Sequence, residues 1–177
     1  EAKKTNSVNT VYKKDNKIVG HNTDIVGFEL AIKEKKYRLK DKKIFILGAG
    51  GVVSSIIVAM KNVGSSKIIL TNRTKENAEK IKENFSDIEA VNWGEIPNFD
   101  MIINATSVGL KSNEKLDLNL QKFGPDKFFY DVIYNPKETI FLKEAKELGN
   151  KTENGMMMFI YQAAAAFKLW HSINPEI

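Results

Sequence analysis

The sequence contains no cysteine. That excludes a disulfide framework, a thiolate nucleophile and a cysteine-held metal, and it is compatible with the cytosol. Histidine is almost as scarce: His21 and His171 stand far apart. No cluster has metal-ligand spacing, so no metal centre is expected. No apolar run reaches the length of a membrane-crossing helix. Glu1 is not an initiator methionine and no signal-peptide pattern follows it, so the chain reads as a piece of a longer protein. An excess of one charge is also missing. Lys and Arg number 27 against 22 Asp and Glu, a net charge of +5. The lysines alternate with glutamates, as over residues 75–82, which describes a solvated helix face. No basic stripe with interleaved aromatics appears, so nucleic acid is not an expected partner. The remaining positive field suits an anionic small molecule.

What is present is organised around residues 43–54. Ile44, Phe45, Ile46 and Leu47 form a short apolar run without polar alternation, as in a parallel strand buried on both faces. Gly48, Ala49, Gly50 and Gly51 follow, and then a helical run over residues 52–63. Strand, glycine turn and helix give a glycine fingerprint its meaning. Gly48 allows the tight turn and Gly50 lets a pyrophosphate approach the backbone. The free N–H groups and partial positive charge of the helix start would hold the phosphates. The third fingerprint position, usually Gly or Ala, is Val53, which predicts looser helix–strand packing. A glycine turn alone also fits an α/β protein that binds no nucleotide.

At 177 residues and 42% hydrophobic, the chain can build one α/β domain with a core, or a domain plus an appendage. Residues 7–12 alternate like a strand, residues 13–17 form a polar turn, and Ile18-Val19 begins a second strand of a hairpin. Ile25, Phe28 and Ile32 predict a helix reaching residue 36, with Thr23 or Asp24 as N-cap. Further strands are expected over residues 67–71, 89–92, 101–104 and 128–132, with helices over 75–85, 139–148 and 156–173. A short helical piece lies near 118–123, and residues 149–155 hold at most a short strand. This alternation predicts a Rossmann-like, doubly wound, mainly parallel sheet with helices on both faces. A hairpin precedes it and a long helix closes the chain.

Ligands of such a sheet lie beyond the carboxyl ends of its strands. Four polar clusters occupy those ends: residues 48–51, 72–74, 104–107 and 131–134. At the second, an NAD site usually carries an acid that accepts from the ribose 2′-hydroxyl. Here Asn72 and Arg73 stand instead, and no acid occurs before Glu76. The planar fork of Arg73 suits a 2′-phosphate, with Thr74 as an added hydroxyl. Arg73 as a plain surface residue is the alternative. Locally, Asp24 reads as a helix cap, His21 as an exposed or core imidazole, and Met156, Met157 and Met158 as core filler.

Seven motifs in this order resemble those of the shikimate dehydrogenase family. They are Ser7-Val8-Asn9-Thr10; Gly20-x-Asn22-Thr23-Asp24-x-x-Gly27-Phe28; Gly48-Ala49-Gly50-Gly51; Asn72-Arg73-Thr74; Asn104-Ala105-Thr106-Ser107-x-Gly109; Asp131-Val132-x-Tyr134-Asn135-Pro136-x-x-Thr139; and Met158-x-x-x-Gln162-Ala163-Ala164. The resemblance implies NADP-dependent interconversion of shikimate and 3-dehydroshikimate, in the aromatic amino-acid pathway through chorismate, in the cytoplasm. It implies Asp24 as a catalytic aspartate paired with a lysine, and Asn9, Tyr134 and Gln162 as further substrate-binding residues. It places Gly48, Ala49, Gly50, Gly51, Val52, Asn72, Arg73, Thr74, Lys75, Ala105, Thr106, Ser107, Val132, Gly155 and Met158 along the cofactor. The lysine belongs to a family motif before Ser7, and neither Lys3 nor Lys4 matches it. Residues 1–23 then correspond to a remnant of a substrate domain. Residues 24–155 form the NADP-binding domain, and residues 156–177 a helix packing back towards the substrate domain. Where the family often has a basic residue four after the arginine, this chain has Asn77, so the 2′-phosphate would lean on Arg73, helped by Lys75. Glycine often precedes the methionine aligned with Met158; here Met157 does. A monomer or homodimer is expected. A quinate/shikimate dehydrogenase paralogue and a non-catalytic NADP-binding module remain alternatives.

Overall fold

In the computed structural model, which describes residues 1–177 and every side chain but that of Gln121, a short helix, Ala2–Thr5 (α1), leads into an antiparallel hairpin. Its strands are Thr10–Lys14 (β1) and Lys17–His21 (β2). Then follow Asp24–Glu34 (α2), Lys43–Leu47 (β3), Val53–Asn62 (α3), Lys67–Thr71 (β4), Lys75–Asn84 (α4) and Glu89–Val91 (β5). Met101–Asn104 (β6), Phe128–Asp131 (β7), Ile140–Glu147 (α5), Lys151–Glu153 (β8) and Met156–His171 (α6) complete the chain, with one 3-10 turn at Leu120–Lys122.

Six strands form one parallel sheet in the order β5-β4-β3-β6-β7-β8. The apolar runs are buried on both faces, and their period of two divides the core. Ile44, Ile46, Ile68, Leu70, Met101, Ile103, Phe128 and Tyr130 pack on one side with α2, α3 and α6. Phe45, Leu47, Ile69, Ile102 and Phe129 pack on the other with Phe99 and α5. The strand order turns back at β3: the chain winds outward through β4 and β5, then returns to β6 on the far side. A crevice at such a reversal is where open α/β sheets bind ligands.

Val53 is fully buried in the first core. The side chain expected to loosen the helix–strand packing is closed off from solvent. The hairpin begins at Thr10 rather than at residue 7 and turns at residues 15–16. It is tied to the body where the Trp170 indole N–H donates to the Val11 carbonyl at 2.8 Å. A lone two-stranded hairpin is marginal in water, so this tether matters. Helix α2 crosses α6 closely at Gly27, where an added Cβ would lie 2.7 Å from Cβ of Gln162 and 2.9 Å from the Met158 carbonyl oxygen.

Candidate functional site

Strand register builds the site. Leu47 pairs with Thr71 on one side and with Asn104 on the other, and Asn104 pairs with Asp131. The four strands therefore end level, and the residues after them share one rim. Backbone hydrogen bonds continue the ladder one step: Gly48 N donates to Thr71 O at 2.8 Å, Ala105 N to Leu47 O at 2.8 Å, and Val132 N to Asn104 O at 3.0 Å. All four sequence clusters meet along this edge.

The glycine turn sits at its centre. Gly48 has φ +109°, and an added Cβ would stand 2.8 Å from the Ala105 carbonyl oxygen. Gly48→Ala is therefore expected to cost about 1–3 kcal/mol, a fall of roughly 2–12 °C in melting temperature for a chain of this size. An unchanged thermal melt would show that this turn is not rigid. Gly50 and Gly51 are different: a Cβ there would meet nothing within 4 Å. Protein packing does not require glycine at either position, and its effect is to keep space clear before α3. No side chain caps that helix start, so its N–H groups and partial positive charge face the cleared space.

Two cavities open on either side of this turn. One, of about 360 Å³, is lined by Gly48, Asn72, Arg73, Asn77, Trp93 and Val108 among others. The second, of about 570 Å³, is lined by Gly51, Val52, Leu110, Val132, Ile133 and Tyr134 among others. They share Gly50, Ala105, Thr106 and Ser107. The pair forms a groove with the cleared space before α3 at its middle. Arg73 is exposed and, among the described residues, makes no ion pair. A free guanidinium at one end of a groove with a helix N-terminus at its centre suits a dinucleotide carrying an extra phosphate.

The loop shared by both cavities is held from below. Asn104 and Asp131, paired by register, are fully buried. The Asn104 amide N–H group donates to both Asp131 carboxylate oxygens at 3.1 Å and to Val108 O at 3.1 Å. Its Oδ1 accepts from Thr106 N at 3.1 Å and Thr106 Oγ1 at 2.7 Å. Asp131 also accepts from Ile133 N at 3.0 Å and from Thr139 Oγ1 at 2.7 Å. Burial pushes the Asp131 carboxyl above its ordinary value, and these donors pull it partly back. One carboxylate thus fixes the loops after both β6 and β7 and the start of α5. The motifs contained Asn104, Asp131 and Thr139, but only the register reveals that they form one unit.

A second polar cluster lies where the hairpin meets α2 and α6. The Asn9 amide donates to Asp24 Oδ1 at 2.8 Å, and its Oδ1 accepts from Thr23 N at 2.9 Å. Thr23 Oγ1 contacts Gln162 Oε1 at 3.4 Å. Of the two expected caps, Thr23 is the N-cap residue of α2 and Asp24 the first residue of the helix; neither side chain makes a capping bond. The buried Asn22, one residue before the cap, holds the helix start instead: its Oδ1 accepts from Asp24 N at 3.1 Å and from Ser55 Oγ at 3.2 Å. Burial raises the Asp24 pKa, with the Asn9 hydrogen bond opposing. The cluster connects to the second cavity. Gln162 Nε2 donates to Phe159 O at 3.1 Å, and the Phe159 ring stacks on Tyr134 with centroids 4.7 Å apart. Asn9, Asp24, Gln162 and Tyr134 are therefore linked through α6.

Of the other predicted residues, Asn72 lines the groove, whereas Thr74, Lys75, Gly155 and Met158 line neither cavity. Asn72 Nδ2 donates to Thr74 O at 2.7 Å, shaping the turn before α4. Thr74 is the N-cap residue of α4 without a side-chain cap bond, and Lys75, its first residue, is exposed. Gly155 precedes α6, where a Cβ would lie 2.0 Å from Val132 O. Met158 lies in the first core, 6% exposed, and lines neither cavity. Lys3 and Lys4 lie on α1, where Lys4 pairs with Glu1. Two residues that sequence reasoning did not single out are Trp93, which lines the first cavity, and Asn22, which appears in the sequence reading only within a motif. No group of described residues could hold a metal ion. No described helix is long and apolar enough to cross a membrane.

A parallel sheet reversing at β3, a glycine turn before an uncapped helix and a double cavity across it define a Rossmann-type dinucleotide-binding fold. Comparison with known proteins narrows the class. Residues 29–131 match the family described as shikimate/quinate 5-dehydrogenase. The chain is 58% identical over 177 residues to a protein of Pelagibacter ubique named shikimate dehydrogenase (NADP(+)), covering all of this chain and 67% of that one. It superimposes on a shikimate dehydrogenase structure from Aquifex aeolicus with a TM-score of 0.90 at 40% identity, covering 99% of this chain and 65% of that chain. A Thermus thermophilus shikimate 5-dehydrogenase in complex with NADP(H) and shikimate gives a TM-score of 0.88 at 33% identity, over 99% and 66% of the two chains. The chain belongs to the shikimate/quinate 5-dehydrogenase family. It spans about two thirds of the length of these relatives.

Proposed function

We propose that this chain is the cofactor-binding portion of an NADP-dependent shikimate dehydrogenase, which interconverts shikimate and 3-dehydroshikimate in the aromatic amino-acid pathway through chorismate. The observation that carries the reading is the unpaired Arg73 at one end of a two-part groove whose centre is the uncapped start of α3. NADP, when bound, supplies the hydride acceptor. The protein binds and orients. Arg73, with Lys75 nearby, holds the 2′-phosphate. The N–H groups after Gly50 hold the pyrophosphate. Val132, Tyr134 and the 105–107 loop line the nicotinamide end.

Asn9, Asp24 and Gln162 offer amide and carboxylate groups to a polyhydroxylated substrate. Asp24 and the lysine that the family resemblance places before Ser7 share the hydroxyl proton of shikimate. Residues 1–23 act with the substrate-binding part, residues 24–155 as the NADP-binding domain, and residues 156–177 bridge the two. The cytoplasm is the expected compartment, and a monomer or homodimer the expected state.

Two measurements test this. A hydrogen bond to a charged group contributes roughly 1.5–3 kcal/mol, so Arg73→Ala should weaken NADP by roughly 10- to 150-fold and leave NAD nearly unchanged. Equal loss for both would assign Arg73 to the fold instead. The enzyme with the lysine-bearing segment should oxidise shikimate with NADP faster than quinate or NAD combinations. Residues 1–177 alone should bind NADP without turnover; measurable turnover by these residues would remove the lysine from the scheme.

A further inference from the structure

Trp93 was invisible as a site residue in the sequence, yet it lines the same cavity as Asn72, Arg73 and Asn77. Register explains the placement. Thr71 pairs with Val91, so the residues after β4 and after β5 leave the sheet side by side. A tight turn then holds the indole in place. Glu95 N donates to Asn92 O at 3.1 Å, the Asn92 amide donates to Glu95 Oε1 at 2.8 Å, and Gly94 adopts φ +93°. The inner side of Trp93 packs against the second core, next to Val91 and Ile96. The indole is half-buried, so it keeps a free side.

We propose that Trp93 is a cofactor-binding residue: the aromatic wall that receives the adenine ring of NADP. The inference rests on the NADP reading above and adds a contact to it. The cavity offers a guanidinium and two amides for a phosphorylated ribose, and an indole and Val108 as apolar surface. A purine has two π faces that must leave water. A fixed indole on a rigid turn provides the matching flat surface with little rotamer entropy left to lose. The contact also suits this chain in particular. The position four after Arg73 is Asn77, an uncharged residue that lines the same cavity, so stacking at the adenine end supplements a phosphate site with a single arginine in the cavity.

Base–aromatic stacking lost by alanine substitution corresponds to roughly 5- to 150-fold in affinity. Trp93→Ala should weaken adenosine 2′,5′-bisphosphate by that factor, while Trp93→Phe keeps a π face and loses less. Fluorescence separates contact from mere support of the fold. The chain has two tryptophans, and Trp170 is 55% exposed on the last turns of α6. Trp170→Phe leaves Trp93 as the only indole. Titrating that variant with adenosine 2′,5′-bisphosphate should change its emission along the same curve as calorimetry, and nicotinamide mononucleotide should not. Calorimetric binding of the bisphosphate with unchanged Trp93 emission overturns the adenine contact alone. No calorimetric binding of either the bisphosphate or NADP overturns the NADP reading itself.

Discussion

Asp24→Asn should lower kcat by about 10²–10⁴-fold in the enzyme that carries the partner lysine, the usual loss when general acid–base assistance is removed. NADP affinity and melting temperature should stay close to their original values. The structure separates these outcomes. Asp24 makes no capping bond, and its Oδ1 receives the Asn9 amide at 2.8 Å. The asparagine amide keeps an oxygen in that place, so the α2 start loses no partner. What it loses is the charge that shares the hydroxyl proton. The pH profile carries a second signature. Burial holds the Asp24 carboxyl above the ordinary aspartate value near 3.8. Protonation removes the catalytic form as pH falls, so the acid limb should lie above that of an unburied aspartate. An unchanged kcat at saturating shikimate would remove Asp24 from the chemistry.

Asp131→Ala should be the most damaging single change to the fold around the groove. It strips partners from the Asn104 amide, the Ile133 N–H and the Thr139 hydroxyl. Each buried group left unpaired costs about 1–3 kcal/mol. Relief of the cost of burying a carboxylate, seen in its raised pKa, offsets part of this. With three donors affected, a net loss of about 3 kcal/mol is expected, or roughly 6–12 °C in melting temperature. NADP binding should weaken as well, because Asn104 positions Thr106 and Val108 in the cavity walls. Asp131→Asn, which keeps one acceptor oxygen, should lose less of both. A thermal melt of Asp131→Ala superimposable on the original would show that Asn104 and Thr139 find other partners.

Why some of this was readable and some was not follows from range. Parallel strands buried on both faces announce themselves as apolar runs, so Ile44 to Leu47, Ile68 to Leu70 and Met101 to Ile103 were found close to their limits. Their ends carried the polar clusters, and the rim followed. The hairpin start was misplaced because Ser7 is spent on other partners: its carbonyl accepts from Asn22 Nδ2 at 3.3 Å and Thr5 Oγ1 at 3.2 Å, not from a strand. At α2 the N-cap residue is Thr23, one of the two expected, and the Asp24 carboxylate makes no cap bond because it is claimed by Asn9, fifteen positions earlier. Nothing near Asp24 in sequence shows that. Trp93 and the Asn104–Asp131 pair needed the register of β4 with β5 and of β6 with β7. Register is a property of the assembled sheet, and it brings together residues that local patterns describe separately.

The central claim is a dinucleotide site selective for the 2′-phosphate, and side-by-side calorimetric titration of residues 1–177 with NADP and NAD tests it most directly. With Arg73 unpaired at the cavity and no acid in residues 72–74, NADP should bind roughly 10- to 150-fold more tightly than NAD. The gap should shrink as salt is raised, since the deciding contact is between exposed charges. Equal affinity for the two, or tighter binding of NAD, would contradict the account.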